Sequence, residues 1–466
     1  MDNKNEEKKN IKFIRNKISC LLISFYSGIC VISDLGVKYY YKDIKKVDAS
    51  LLSKILLLFK IPYAIKPFYG LILDFFPLCG YKKKYYLFIC FLINISSWYI
   101  FIAISNKGNL IKTIICQLFV NISLSFTAVI GSAIQVEVSK MYENSKNSIG
   151  ERTSSLMSEY FIVRSIGTLI PSYLKGFLIE KYTNNIIFYI SGLISFFIFL
   201  SGLILDDDKV KKEIKKQKKV KFSPLLEEEE NNNENNKTSQ IINLLKDKNI
   251  FYLLFLVFIL ESSPSCVSPL FFYYTNMLGL NPKDLSLIDF FSQISIIIVN
   301  ILYKFFCQKL NFKCITFFVR ISLFCIFYLI YMLIMKITQQ YISDLILVTF
   351  TSSLHEGLHI LGQLPYYLLG IILSPLELEA TTYSLCISSC YLGNMLADFI
   401  DSRLAIFFNV THYNFKNLGI LILIENIFHL IPLIILVIPN QFFSEIKSKS
   451  QNTSTKELVS LDKDKN

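Results

Sequence analysis

Residues 66–84 read Lys66-Pro67-Phe68-Tyr69-Gly70-Leu71-Ile72-Leu73-Asp74-Phe75-Phe76-Pro77-Leu78-Cys79-Gly80-Tyr81-Lys82-Lys83-Lys84. An apolar run that begins near residue 51 meets one carboxylate at Asp74, then a Pro/Gly turn and three lysines. This is the pattern of a helix leaving a nonpolar layer through a short basic loop. Gly70 leaves room for a neighbouring helix, and Asp74 sits at the helix end, where the basic cluster across the loop can partner it. Gly70, Asp74, Gly80, Lys82, Lys83 and Lys84 together read as a gate or latch between two parts of a membrane protein. A second apolar run starts at residue 85.

Outward from this stretch the pattern repeats. The chain has 466 residues, 53% of them hydrophobic and only 18% charged. A bilayer-spanning helix takes about 20 mostly apolar residues, so a dozen would need roughly 240, close to the apolar count. Spans are predicted at 18–38, 51–75, 85–105, 110–137, 156–180 and 186–205, and again at 249–275, 285–306, 314–337, 344–373, 377–408 and 417–439. The long Ile/Leu/Phe runs do not alternate as the strands of a membrane barrel do. The expected fold class is an all-α membrane protein with twelve transmembrane helices in two six-helix bundles, residues 18–205 and 249–440.

The remaining segments are polar. Residues 1–17 form a lysine-rich N-terminal tail without a small-residue cleavage site, so the first apolar run is expected to stay as a helix. Residues 206–248 open on Asp206-Asp207-Asp208, continue through lysines to Glu227–Glu230 and an asparagine tract, and read as a disordered linker. Residues 441–466 form a C-terminal tail. The net charge of +12 concentrates on one side of a twelve-span arrangement. That side carries Lys82–Lys84, Lys140, Lys146 and Arg152, the linker, and Lys304, Lys309 and Lys313, which places it and both tails in the cytoplasm. Lys42, Lys45 and Lys46 fall on the other side, against the rule. Nucleic acid is not an expected partner, because no compact basic domain is present. Of the eleven cysteines none makes a Cys-x-x-Cys pair, and most lie in apolar runs as small hydrophobes.

Charges inside apolar helices are costly, so they mark a cavity or a partner. They are Asp34, Lys66, Glu137, Arg164, Glu261, Asp289, Arg320, Asp398 and Glu425. Of these Lys66, Glu137, Arg164, Glu261 and Asp289 are the candidate substrate-binding residues. A competing motif is His355-Glu356-Gly357-Leu358-His359, whose spacing puts two imidazoles on one helix face as zinc ligands with a carboxylate as base. It would make the chain an intramembrane zinc protease. The third-ligand position six residues after His359 holds Pro365, and the histidines read better as polar residues lining a bundle interior. No catalytic residue, bound metal or cofactor is therefore expected, and the absence of a phosphate-binding loop argues against an ATP-driven pump.

The pattern Lys-Pro-x-x-Gly-x-x-x-Asp-x-x-Pro-x-x-Gly-Tyr at Lys66–Tyr81 resembles the folate–biopterin transporter family of the major facilitator superfamily. So do Arg164-x-x-Gly167 with Gly176, Tyr273-Tyr274-Thr275 followed by Leu278–Pro282, Gly362-Gln363 with Pro365, Ser374–Thr381, and Gly393-Asn394. On the fourth span Val136-Glu137 is kept, while Ala128 and Ser132 stand where the family carries two aspartates. The resemblance implies a multi-pass carrier in the plasma membrane or an organellar membrane. Its implied substrate is folate, a pterin or a folate precursor, moved by alternating access and coupled to protons, with membrane lipid as the other partner. Lys66 or Arg164 would hold a carboxylated tail, and Glu137 or Glu261 would accept the paired N–H donors of a pterin edge.

Overall fold

The computed structural model describes residues 2–47, 49–105, 109–141, 149–182, 184–207, 248–305, 312–372, 379–411 and 413–437. Linker residues 208–247, Ser374–Leu378 and the tail 441–466 lie outside the described residues. The first half of the chain forms α1 (Asp2–Ile29), α2 (Ile32–Tyr39), α3 (Ala49–Ala64), α4 (Lys66–Phe75), α5 (Lys84–Ser105), α6 (Leu110–Met141), α7 (Ile149–Lys181), α8 (Asn184–Ile194) and α9 (Phe196–Ile204). The second forms α10 (Lys248–Glu261), α11 (Val267–Asn276), α12 (Pro282–Phe305), α13 (Phe312–Ile334), α14 (Asp344–Ile372), α15 (Glu379–Phe407) and α16 (Leu418–Phe428), followed by a 3-10 segment at Ile431–Val437.

Eight described segments are long and apolar enough to cross a membrane: six in the first half, from Asn10–Ile44 to Asn185–Ile204, and two in the second, Pro282–Phe305 and Phe312–Ile334. The spans predicted at 344–373 and 377–408 correspond to α14 and α15, which have 29 residues each. At 1.5 Å per residue each is about 43 Å long, ample for a bilayer, but their many polar residues keep them below the apolar standard of the others.

Several predicted spans differ from simple rods. Helix α1 starts at Asp2, inside the segment expected to be a tail, because Lys- and Glu-rich sequence is a good helix former even where it is too polar for a bilayer. The second span breaks at Ile65 into α3 and α4. Pro67 lies in the first turn of α4, where its missing N–H has no intrahelical acceptor to lose. The seventh breaks at Ser262-Ser263-Pro264-Ser265-Cys266, with Cys266 in the left-handed region at φ 49°. Three residues of the predicted linker are among the described residues: Asp206, Asp207 and Lys248, which opens α10. Asp207 Oδ2 accepts from the backbone N–H groups of Lys83 (2.6 Å) and Lys84 (3.1 Å), at the start of α5. Asp206 faces Arg15 at 3.5 Å.

The halves meet along two antiparallel seams, α3 and α4 against α15, and α7 against α12. Glycines set the approach. A Cβ on Gly70 would lie 2.8 Å from the Ala380 carbonyl oxygen, and one on Gly176 would lie 2.2 Å from that of Pro282. Backbone oxygens cannot step aside as side chains do. Gly176→Ala is therefore expected to force the α7–α12 seam apart at a cost of about 1–3 kcal/mol. The check is a lowered thermal midpoint of the purified protein in detergent; an unchanged midpoint would contradict the packing.

Candidate functional site

Between the seams the structure brings charges of both halves into one chamber. Lys66, the first residue of α4, is only 4% exposed. Its ammonium lies 5.2 Å from the ring centre of Tyr63 on α3 and 4.7 Å from that of Tyr391 on α15. These tyrosines stack across the seam at 4.8 Å. Arg164, in the middle of α7, is solvent-exposed yet within electrostatic reach of Lys66, Tyr63, Tyr391 and Asp34. An ionisable side chain at membrane depth normally faces a partner or a water-filled cavity. Neither cation has a carboxylate ion-pair partner among the described residues. Asp34, one of the charges the sequence places inside an apolar helix, is likewise exposed, with Lys38, Lys175 and Asp289 in reach. Glu356, the carboxylate of the histidine motif, enters from α14 and is felt by Lys38.

Of the five predicted binding residues, Lys66 and Arg164 thus share one chamber, whereas the other three carboxylates have committed partners. Glu137 lies at the basic end of α6, ion-paired with Lys83 and 4.0 Å from Lys12. It is thus set beside the basic loop that carries Lys83. Asp289 is bound 2.5 Å from Lys175, tying α12 to α7.

Glu261, last residue of α10 and 5% exposed, is fully used. Its Oε1 accepts from Tyr366 Oη (2.5 Å) and Gln363 Nε2 (3.2 Å), and its Oε2 from Asn394 Nδ2 (3.2 Å), with His359 Nε2 also at 3.2 Å. Arg320 donates to the Leu260 carbonyl beside it. This network supports the helix end at the break. It also absorbs the histidine motif. The two imidazoles do share a face, their rings nearly parallel at 6.1 Å, but His359 is turned to Glu261 and His355 to Glu356 at 3.6 Å. At the positions of the family's missing aspartates, Ser132 donates to the Ala128 carbonyl of its own helix at 2.8 Å.

Asp74, one of the residues read in the sequence as a latch, caps a helix of the other half of the chain. Asp74 Oδ2 accepts from the backbone N–H (3.0 Å) and the hydroxyl (2.5 Å) of Thr381, in the first turn of α15. A carboxylate from one half thereby satisfies an orphan amide of a helix in the other, where the helix dipole also favours negative charge. Cys79 and Gly80, at φ 52° and 83°, make the tight turn that returns the chain to Lys83 and its partner Glu137. On the other seam Lys283 Nζ of α12 meets Glu180 of α7 at 3.0 Å, and Lys42 lies over the Phe271 ring of α11 at 5.7 Å.

Two helical halves of long apolar helices, packed along two seams beside a group of charges, have the form of a multi-pass membrane carrier. The chain belongs to the BT1 family, whose model matches residues 27–457. It is 29% identical over 454 residues to folate transporter 1 of Plasmodium falciparum, covering 94% of this chain and 82% of that protein. It is 25% identical over 443 residues to the folate-biopterin transporter of Synechocystis, covering 93% and 83%. Among solved structures the nucleoside transporter NupG superposes with a TM-score of 0.61 over 92% of this chain and 99% of that one, at 14% identity, a likeness of fold. The family is one of transporters, so the zinc-protease alternative falls and the chain is not an enzyme.

Proposed function

We propose that the protein carries folate, a pterin or a folate precursor across its membrane by alternating access, with proton coupling. The carrying observation is the pair of cations Lys66 and Arg164, placed together without a carboxylate ion-pair partner beside the stacked tyrosines Tyr63 and Tyr391. Like charges held out of bulk water repel, and a carboxylate ligand between them turns that repulsion into charge-assisted hydrogen bonds. Flat heteroaromatic rings stack on tyrosine faces, and the open carboxylate of Asp34 accepts the adjacent N–H donors of a pterin edge, the role first expected of Glu137 or Glu261. The relatives named above as folate and folate-biopterin transporters support the same substrate class.

In the cycle, Asp74 and the α3/α4–α15 seam open one end while the Lys283–Glu180 pair and the α2–α11 aromatic contacts hold the other; the two sets then exchange. Rocking of this kind leaves the binding residues near the middle of the membrane. Proteoliposomes are expected to accumulate labelled folate or folinate, faster when the outer medium is acid. Absence of uptake of any folate or pterin, with insertion verified, would overturn the substrate. Preferential competition by an unrelated organic anion would reassign it.

A further inference from the structure

Away from the chamber, Cys266, Asp401 and Glu425 place a thiol and two carboxyl groups together, their polar atoms all within 4.8 Å of one another. They come from three elements: the left-handed residue at the break before α11, the outer part of α15, and α16. Glu425 is 0% exposed and Asp401 5%. Both oxygens of Glu425 and Oδ1 of Asp401 lack a hydrogen-bond partner, the thiol and backbone N–H of Cys266 lying beside Glu425 without reaching bonding geometry. Buried carboxylates with nothing donating to them are expensive, and two side by side require a positive charge between them. No basic side chain among the described residues supplies it. The lysine in electrostatic reach, Lys60, is held by Asp398 Oδ2 at 2.5 Å. His429, one turn beyond Glu425, is turned to the Phe327 ring at 4.4 Å.

We propose that Asp401 and Glu425 form a proton-binding site in the second half of the carrier. As the seat of the coupling ion it rests on the transport reading above. Asp398 sits one turn before Asp401 on α15, at the seam with α3, so Asp398, Asp401 and Glu425 lead from the seam into the interior. While the seam is shut, Lys60 occupies Asp398 and the pair is sealed from water. Opening the seam parts Lys60 from Asp398 and lets a proton pass inward. One proton enters, becomes an O–H shared between Asp401 and Glu425, and removes one negative charge from the pair; it leaves by the same atoms, and no other bond changes. The break at 262–266 places Cys266 beside this site.

The test uses the full chain in liposomes. Glu425→Gln is expected to keep exchange of labelled for unlabelled folate at equal pH within about twofold of wild type, while losing accumulation driven by a pH gradient. This split separates an emptied proton site from a misfolded carrier. Gradient-driven accumulation undiminished in Glu425→Gln would overturn the site. A second readout needs no substrate: the infrared band of a protonated carboxyl, changing with pH in wild type and lost in Glu425→Gln or Asp401→Asn. Absence of that band in wild type at every pH would also overturn it, as would a stoichiometric bound metal ion in purified wild type that Glu425→Gln removes. Wild type that shows the band but exchanges no folate would leave the site standing and sink the substrate assignment.

Discussion

Arg164→Ala is expected to abolish uptake while leaving the amount and stability of inserted protein near wild type. The guanidinium is exposed to the chamber and makes no ion pair among the described residues, so its removal leaves no buried charge alone. What it removes is a bidentate, charge-assisted contact to a ligand carboxylate, and truncating such a contact costs about 2–5 kcal/mol. At 1.4 kcal/mol per factor of ten that is on the order of 30-fold to several thousand-fold in affinity. Arg164→Lys should recover part of it, since an ammonium keeps the charge but not the planar fork. Saturation binding of labelled folate to purified protein, alongside uptake, checks this. An Arg164→Ala variant that binds and transports like a change at Lys237 in the linker would remove Arg164 from the site.

Glu261 gives the opposite expectation, and the contrast shows which part of the site sequence could disclose. Both residues are charges within apolar helices, and the physical cost of placing them there marks both equally. What separates them is whether a partner waits in space, and the partners of Glu261 stand 98 to 133 positions away on α14 and α15. Asp289 with Lys175 and Glu137 with Lys83 are the same case, pairs closed by tertiary packing that periodicity does not encode. Lys66 and Arg164 differ from these in that neither has a carboxylate ion-pair partner among the described residues.

The fold itself was easier to read, since long apolar runs report the bilayer directly. Its irregularities were signalled only weakly. Ser262-Ser263-Pro264-Ser265 does contain a helix breaker, but a hydropathy window averages over it and yields one span at 249–275. The same averaging hid the break at Ile65 and hid residues 2–17, whose helix owes nothing to apolarity. Asp34 reads in the sequence as one of several charges in apolar helices and Tyr391 as an ordinary aromatic; only the packing sets Asp34 near Arg164 and Tyr391 against Lys66.

Asp74→Ala should act on the conformational equilibrium rather than on binding. In the closed form Asp74 is 8% exposed and its Oδ2 holds both the amide and the hydroxyl of Thr381. Opening that end must break both contacts, so the closed state alone gains from them. Loss of an N-cap costs about 0.5–2 kcal/mol, and hydrogen bonds to a charged group about 1.5–3 kcal/mol each. A change near 2 kcal/mol shifts a two-state equilibrium by roughly 30-fold toward the open form. Two native cysteines report it. Cys79 lies in the hairpin after α4 and Cys314 at the start of α13, and both are exposed. With Cys307 and the exposed Cys325 replaced, spin labels at these positions should give one short distance in the otherwise unchanged carrier and an added longer population in Asp74→Ala, with uptake reduced about tenfold. Gly70 supplies the matching control, because Gly70→Ala wedges the same seam through contact with the Ala380 carbonyl and should lengthen the distance without touching the cap. An unchanged distance distribution in Asp74→Ala would mean that the cap does not hold the gate.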